Sequence, residues 1–302
     1  MQVYKLIVQK NDPGELSHFL LKKGFSRRAV NNAKNRGGML LVNHHRRHTG
    51  YRLKEGDVVH FLMGQEKENP ALHPSDKPLE VVAEASDYLV VNKPAGLLSI
   101  PSGFHHEDAV INRVLSYFQK QGADPAYIKP HIVTRLDQDT SGLVLLGKNA
   151  IAHDRFAKLG KNRFIKRYHA IVHGNFPEDE LTGLIDKPLA RVGETVKREV
   201  NPNGQKSLTA YRVIDQVPGA SLVELRLLTG RTHQIRVHMM SLGHVLFGDD
   251  LYGAKDHFAR QALNCFYLSF PDPFSGKKQT IELPDPKDMQ DLWRKLQEQA
   301  GK

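Results

Sequence analysis

Between residues 79 and 270 the chain keeps returning to short apolar runs of β character, with only a few helical stretches between them. The first run, Leu79 to Val91, reads as two short strands around Ala85-Ser86-Asp87. Lys166 to Val172 and Leu208 to Ile214 follow. In Leu222 to Leu228, Val223, Leu225 and Leu227 alternate with Glu224 and Arg226, and Leu263 to Phe270 is the last of the series. The helices are scattered. Asp108 to Gln121 points Val110, Val114, Leu115 and Phe118 inward. Another runs from an Asn149 cap to Leu159, where Gly160 stops it. A third lies in HQIRVHMMSLG, with Thr232 as its expected cap, and a C-terminal helix carries Met289, Leu292, Trp293 and Leu296. A parallel doubly wound sheet needs strict strand–helix alternation. Its absence predicts an α+β fold, a mixed and largely antiparallel sheet with flanking helices. The polar, basic stretch Arg191 to Lys206 interrupts the series as a projecting loop or ribbon.

One stretch in this series stands out: HIVTRLDQDTSGLVLLGK, residues 131–148. An extended arm from Ile132 to Leu136 ends on Asp137, a turn spans Gln138 to Gly142, and a second strand covers Leu143 to Leu146. An acid where a strand gives way to a loop is placed to meet a substrate. It is equally suited to capping the turn through backbone N–H groups, and this stretch alone favours the cap.

Charge separates the N-terminus from the rest. Residues 1–64 hold 12 Lys and Arg against four Asp and Glu, a formal +8 of the whole chain's +10. GQEKENPALHPSDKP, residues 64–78, is polar and proline-rich and marks a boundary. The expected division is a basic domain at 1–64, a linker at 65–78 and a larger domain at 79–302. A small basic module beside a near-neutral one suggests a polyanion-binding unit. No apolar run reaches the roughly 20 residues that span a bilayer, the N-terminus lacks a signal peptide's apolar core, and Cys265 is the sole cysteine. The chain is therefore expected in the cytoplasm, away from membranes and without an obligate protein partner.

Within the basic module the pattern reads strand (within Met1 to Lys10), helix (Gly14 to Lys23), helix (Arg27 to Arg36, capped by Ser26), strand (Met39 to Asn43), basic turn (His44 to His48) and strand (from Val58). The order resembles the small α/β RNA-binding domain of ribosomal small-subunit protein four, through Gly24-Phe25-Ser26-Arg27, Val42-Asn43 and Lys54-Glu55-Gly56-Asp57-Val58. That resemblance implies an RNA grip presenting Ser26, Arg27, Arg28, Lys34 and Arg36, whose role is phosphate contact. His44 stands where that family usually has glycine.

For the larger domain several chemistries lose support. His233 and His238 are five apart, and no pair has zinc-hydrolase spacing. Asp137 and Asp139 have no further acidic cluster, so no metal is expected. Serine-hydrolase and phosphate-loop motifs are missing, and a glycoside hydrolase would call for paired carboxylates. Against this background VTRLDQDTSGLVLL, KRYHAIV and TGRTHQIRVHM, with NKPAGLL and LFGDDLYG flanking, resemble the ordered motifs of the RluA/RluD family of RNA pseudouridine synthases. The resemblance implies an RNA isomerase without cofactor, which detaches a uracil and rejoins it through carbon five. Ribosomal RNA is the favoured substrate and transfer RNA the alternative. It also implies Asp137 as the catalytic aspartate, Arg231 as its ion-pair partner, Tyr168 stacked on the uracil and Arg135 entering the space of the extruded nucleotide. Extrusion is needed because a stacked base hides its glycosidic bond. A catalytically silent RNA-binding or assembly factor on the same fold is the competing reading. Thr134 departs from the family, which usually has His there.

Overall fold

The computed structural model describes residues 2–67, 69–102 and 107–301. The chain forms two compact units. The first comprises residues 1–90, 100–134 and 145–159, and the second residues 91–99, 135–144 and 160–302.

In the first unit the basic segment folds as β1 (Val3–Ile7), α1 (Leu16–Lys22), α2 (Arg27–Asn35), β2 (Met39–Val42), β3 (His45–Arg46) and β4 (Val58–Leu62). Its sheet has the order β1-β4-β2-β3 and closes over Leu16, Phe19, Leu20, Phe25 and Phe61, all fully buried. Ser26 caps α2 by accepting from the Ala29 N–H at 3.1 Å, so its hydroxyl serves the helix. Arg27, Arg28, Lys34 and Arg36 are exposed. The expected basic turn is a two-residue hairpin, with Val42 opposite His45 and both Asn43 (φ 50°) and His44 (φ 67°) in left-handed backbone. A tight hairpin needs positive φ at both central positions, a conformation that favours glycine, and here histidine adopts it.

The same unit continues with β5 (Glu80–Glu84), the start of β6 (Tyr88–Lys93), α3 (Val110–Lys120), β7 (His131–Ile132), the end of β8 (Ser141–Gly147) and α4 (Ala150–Leu159); residues 91–93 of β6 and 141–144 of β8 belong to the second unit. The N-terminal segment is bonded to these residues. Tyr4 donates its hydroxyl to Asp87 at 2.7 Å, and the Arg155 guanidinium lies 4.7 Å from the Phe25 ring centre. Asn149 caps α4 as expected, accepting from the Ala152 N–H at 2.8 Å.

The second unit holds β9 (Ile165–His173), β10 (Thr182–Asp186), β11 (Leu189–Arg191), β12 (Arg198–Val200), β13 (Leu208–Val217), β14 (Ala220–Leu227), α5 (Gln234–Met240), β15 (Leu263–Pro271), β16 (Lys278–Glu282) and α6 (Lys287–Ala300). Its strands run β10-β13-β14-β9-β15-β8, with β16 also on β15. These strands pair antiparallel except β15 with β8, which is parallel through Asn264 with Ser141 and Cys265 with Gly142. The α+β expectation holds. Met289, Leu292, Trp293 and Leu296 of α6 pack on Ile171, Phe247 and Ala262. The stretch 191–206 holds the turn and second strand of a ribbon, the separate two-stranded pair β11-β12, and the chain that follows it. Among the described residues no helix is long and apolar enough to cross a membrane.

The arm expected from Ile132 to Leu136 is shorter than its apolar pattern suggests. Only His131 and Ile132 pair with β8, and β8 starts at Ser141 instead of Leu143. Side chains take over the ladder's bonds. The Thr134 hydroxyl accepts from the Leu145 N–H at 2.9 Å. Ser99 accepts from the Leu136 N–H at 3.1 Å and donates to the Leu136 carbonyl at 2.9 Å.

Gly142 is where β8 meets β15. Its φ is +113°, and a Cβ there would lie 2.3 Å from the Cys265 carbonyl oxygen. Strain and backbone collision add, so Gly142→Ala is expected to lower stability by about 3 kcal/mol. The urea midpoint reads this; an unchanged midpoint would mean that β8 and β15 separate at little cost.

Candidate active site

Asp137 sits in the loop between β7 and β8, half-buried, and the loop is fastened at several points within the second unit. Its own carbonyl accepts from the Thr140 N–H at 3.2 Å. The next carbonyl, of Gln138, accepts from the Lys93 ammonium at 2.6 Å, and that ammonium also donates to the carbonyls of Pro94 and Leu97. Arg260 reaches the Asp139 carbonyl at 3.3 Å while its guanidinium grips Asp288 of α6. Thr140 accepts from Gln261, and Ser141 donates to Asn264 at 2.9 Å. The Thr-Ser pair thus moors the turn to β15 and the chain before it.

Burial dominates the ionisation of Asp137 and raises its pKa above the ordinary carboxylate value. Arg236, Lys93 and Arg135 oppose this, in that order, and Asp249 adds to it. Arg236 extends from α5, is 7% exposed, and makes a two-pronged bond to Asp249 at 2.7 and 2.6 Å; Asp249 is 1% exposed. Burial works to discharge Arg236, yet the bonds and charge of Asp249, joined by the charge of Asp137, hold its pKa above normal. The Arg236 guanidinium also lies 4.9 Å from the Tyr252 ring centre. Tyr252 bonds His233 at 2.9 Å, and burial with the nearby Arg236 pushes that imidazole down to about 4, so it is neutral at physiological pH.

Tyr168, on β9, is 3% exposed. Opposite it β15 carries a bulge, since His169 pairs with Asn264 but Arg167 with Tyr267. The extra residue falls at Cys265 and Phe266, and the Cys265 thiol neighbours Tyr168. Burial first, then Cys265 and the charge of Asp137, raise the phenol well above its ordinary value.

Of the residues singled out from sequence, Asp137, Arg135 and Tyr168 share one electrostatic neighbourhood. Among the described residues Arg231 makes no ion pair with Asp137; the largest countercharge on Asp137 is that of Arg236, itself paired with Asp249. The Arg231 guanidinium donates to the Lys206 carbonyl at 3.3 Å. Arg236 stands in the same TGRTHQIRVHM segment, five residues on, and only packing distinguishes the two. The helix cap also differs: His233, in left-handed backbone, occupies the N-cap position instead of Thr232, and the Gln234 carboxamide accepts from the Arg231 N–H at 3.0 Å. Lys93, Asp249 and Cys265 were not singled out from sequence; the quoted NKPAGLL and LFGDDLYG contain the first two. Among the described residues no group of three His, Cys, Asp or Glu is placed to hold a metal ion.

Residues 87–241 match the family model described as RNA pseudouridylate synthase. The uncharacterized RNA pseudouridine synthase YjbO of Bacillus subtilis (strain 168) is 38% identical over 272 residues, 89% of this chain and 94% of its own length. Ribosomal large subunit pseudouridine synthase D of Zymomonas mobilis is 40% identical over 240 residues, 74% of each. Among solved structures, human RNA pseudouridylate synthase domain containing 1 is 25% identical with a TM-score of 0.57, covering 73% of this chain and 87% of that one. The chain belongs to the RNA pseudouridylate synthase family. It is an isomerase acting on RNA.

The raised pKa of Asp137 has a consequence for folding. A carboxyl whose pKa is higher in the folded state destabilises the fold once ionised; the cost is absent below the unfolded pKa and grows as pH rises through the folded one. Asp137→Asn is therefore expected to raise the thermal midpoint at pH 7, by an amount that shrinks toward zero as pH falls to about 3.8. Thermal melts of both proteins across pH test this. A variant no more stable than wild type at pH 7 would show that Arg236 and Lys93 fully offset burial.

Proposed function

We propose that this isomerase converts uridine to pseudouridine in ribosomal RNA, with Asp137 as the catalytic residue. The observation that carries the reading is the loop 135–141, which gives one carboxylate two buried cations and a phenol as neighbours. Whether the carboxylate attacks the ribose or takes a proton from it, it must be ionised. Arg236 and Lys93 supply the countercharge that burial demands. Tyr168 presents an aromatic face and a protonated hydroxyl beside the carboxylate, suited to stacking on the uracil and to the proton transfer at carbon five. Arg135 is exposed two residues before Asp137 and fills the gap left by the extruded nucleotide. Arg231 acts on the RNA and not on Asp137. The likeness to ribosomal large subunit pseudouridine synthase D supports the ribosomal substrate over transfer RNA.

Residues 1–64 form the RNA grip of this reading, like the domain of ribosomal small-subunit protein four, with Arg27, Arg28, Lys34 and Arg36 toward phosphates and Ser26 holding the helix that carries them. The remaining domain, 79–302, isomerises. Both work in the cytoplasm in this reading.

In cells lacking the protein, at least one ribosomal RNA pseudouridine should be missing from chemical maps. Wild type restores it and Asp137→Asn does not, while the purified variant binds RNA as wild type does. Restoration by Asp137→Asn would sink the mechanism and leave the silent assembly factor as the better reading. A separate expectation concerns the grip. Arg28→Ala/Lys34→Ala/Arg36→Ala should reduce the slope of log affinity against log salt by about 2 to 3, as loss of three phosphate contacts requires. An unchanged slope refutes it.

A further inference from the structure

Within the second unit a cavity of about 470 Å³ is lined by Arg135, Arg191, Arg198 and Arg231, with no acidic residue in its wall. Elsewhere in this unit arginines pair with carboxylates: Arg236 with Asp249, Arg260 with Asp288, Arg212 with Glu224. Among the described residues none of the four cavity arginines makes such an ion pair. Three of them spend part of their donors on backbone carbonyls: Arg191 on Thr195 and Glu194, Arg198 on Val196 and Lys197, and Arg231 on Lys206. Those bonds fix the heads without neutralising them. A guanidinium carries five N–H donors, so each retains some for a ligand.

The wall is built for close approach. Gly204 passes so near β11 that a Cβ on it would lie 2.4 Å from the Leu189 carbonyl carbon. Backbone bonds in both directions between Leu189 and Gln205 hold the segment there. β11 and β12 bring Arg191 and Arg198 opposite each other in register. Four like charges around one cavity repel, and an anion that receives them offsets that cost. Guanidinium forks match phosphate oxygens two at a time, which makes phosphate the fitting chemistry. Arg135 puts the anion two residues along the chain from Asp137.

We propose that this cavity binds the phosphodiesters adjoining the target uridine, with Arg191 and Arg198 of the β11-β12 ribbon as gripping residues. The proposal deepens the RNA-isomerase reading and rests on it for the identity of the nucleotide. The ribbon fixes the strand's backbone while Asp137 acts on its sugar.

The test measures affinity of the full-length protein for a uridine-containing RNA hairpin over a salt series, independently of product formation. Arg191→Ala/Arg198→Ala is expected to weaken binding about tenfold and to cut the salt slope by about 1.5 to 2. The charge-matched control Lys277→Ala/Lys295→Ala, at exposed sites, should change neither. Arg191→Lys/Arg198→Lys keeps the charge and should keep the slope while losing part of the affinity, which provides a readout if the alanine variant folds poorly. Inorganic pyrophosphate should compete with RNA on wild type and less on the alanine variant. Affinity and slope equal to the control's would overturn the proposal even if pseudouridine still forms. Pyrophosphate binding lost in the variant with RNA binding intact would also overturn it, assigning the cavity to a small free anion. Failure of the isomerase reading looks different: wild type then makes no pseudouridine, yet the variant still loses RNA affinity.

Discussion

A carboxylate that must stay ionised while partly withdrawn from water sets the terms for everything around Asp137. Burial alone protonates it. The protein answers with two cations that are themselves buried, Arg236 and Lys93, and each needs support of its own. Asp249 supports Arg236 through two short bonds, and three carbonyls support Lys93. Because Asp249 also repels Asp137, the arrangement is a balance in which the second carboxylate stabilises the cation that stabilises the first. Removing one partner of such a buried pair leaves an uncompensated charge, which costs far more than the pair contributes.

The backbone is shaped to hold that balance. Gly248, just before Asp249, has φ +70° and passes so close to the Arg260 carbonyl that a Cβ would lie 1.9 Å from it. Its N–H donates to the Asp256 carboxylate, which also takes the Phe258 N–H and bonds His173. Arg260 leaves that crossing to reach the Asp139 carbonyl and Asp288. The segment presenting Asp249 and the loop presenting Asp137 thus share an anchor. A displacement of the 246–260 segment is felt at both carboxylates, the reason a packed site tolerates little play.

Much of the fold was legible because periodicity reports burial directly. The alternation at Val223, Leu225 and Leu227 gave β14, and the Asn149 and Gly160 punctuation gave α4. β10 and β16 carry no such periodicity. Both sit at the margin of their sheet, where Thr182–Asp186 and Lys278–Glu282 are mostly exposed or half-exposed and carry little apolar signal. The arm before Asp137 is shorter than its apolar pattern suggests for a complementary reason. Ile132 to Leu136 is apolar enough for a strand, but hydroxyls of Thr134 and Ser99 meet its neighbours' backbone groups, and sequence does not say where a side chain will substitute for a ladder.

The site shows the same divide between residue type and residue address. Motif order located Asp137 and Tyr168 but assigned the pairing cation to Arg231, because a guanidinium five positions away looks the same in one dimension. A short helix separates their fates. Arg236 lies on α5 among buried neighbours and faces Asp249, whereas Arg231 precedes the helix and lines a cavity with three other arginines. Thr134 follows the same logic. Its hydroxyl accepts from the Leu145 N–H of β8 where the arm parts from that strand, a task for which a short β-branched alcohol suffices. An imidazole there would reach farther and meet different partners. The two buried cations that act on Asp137, Arg236 and Lys93, come from other elements of the chain.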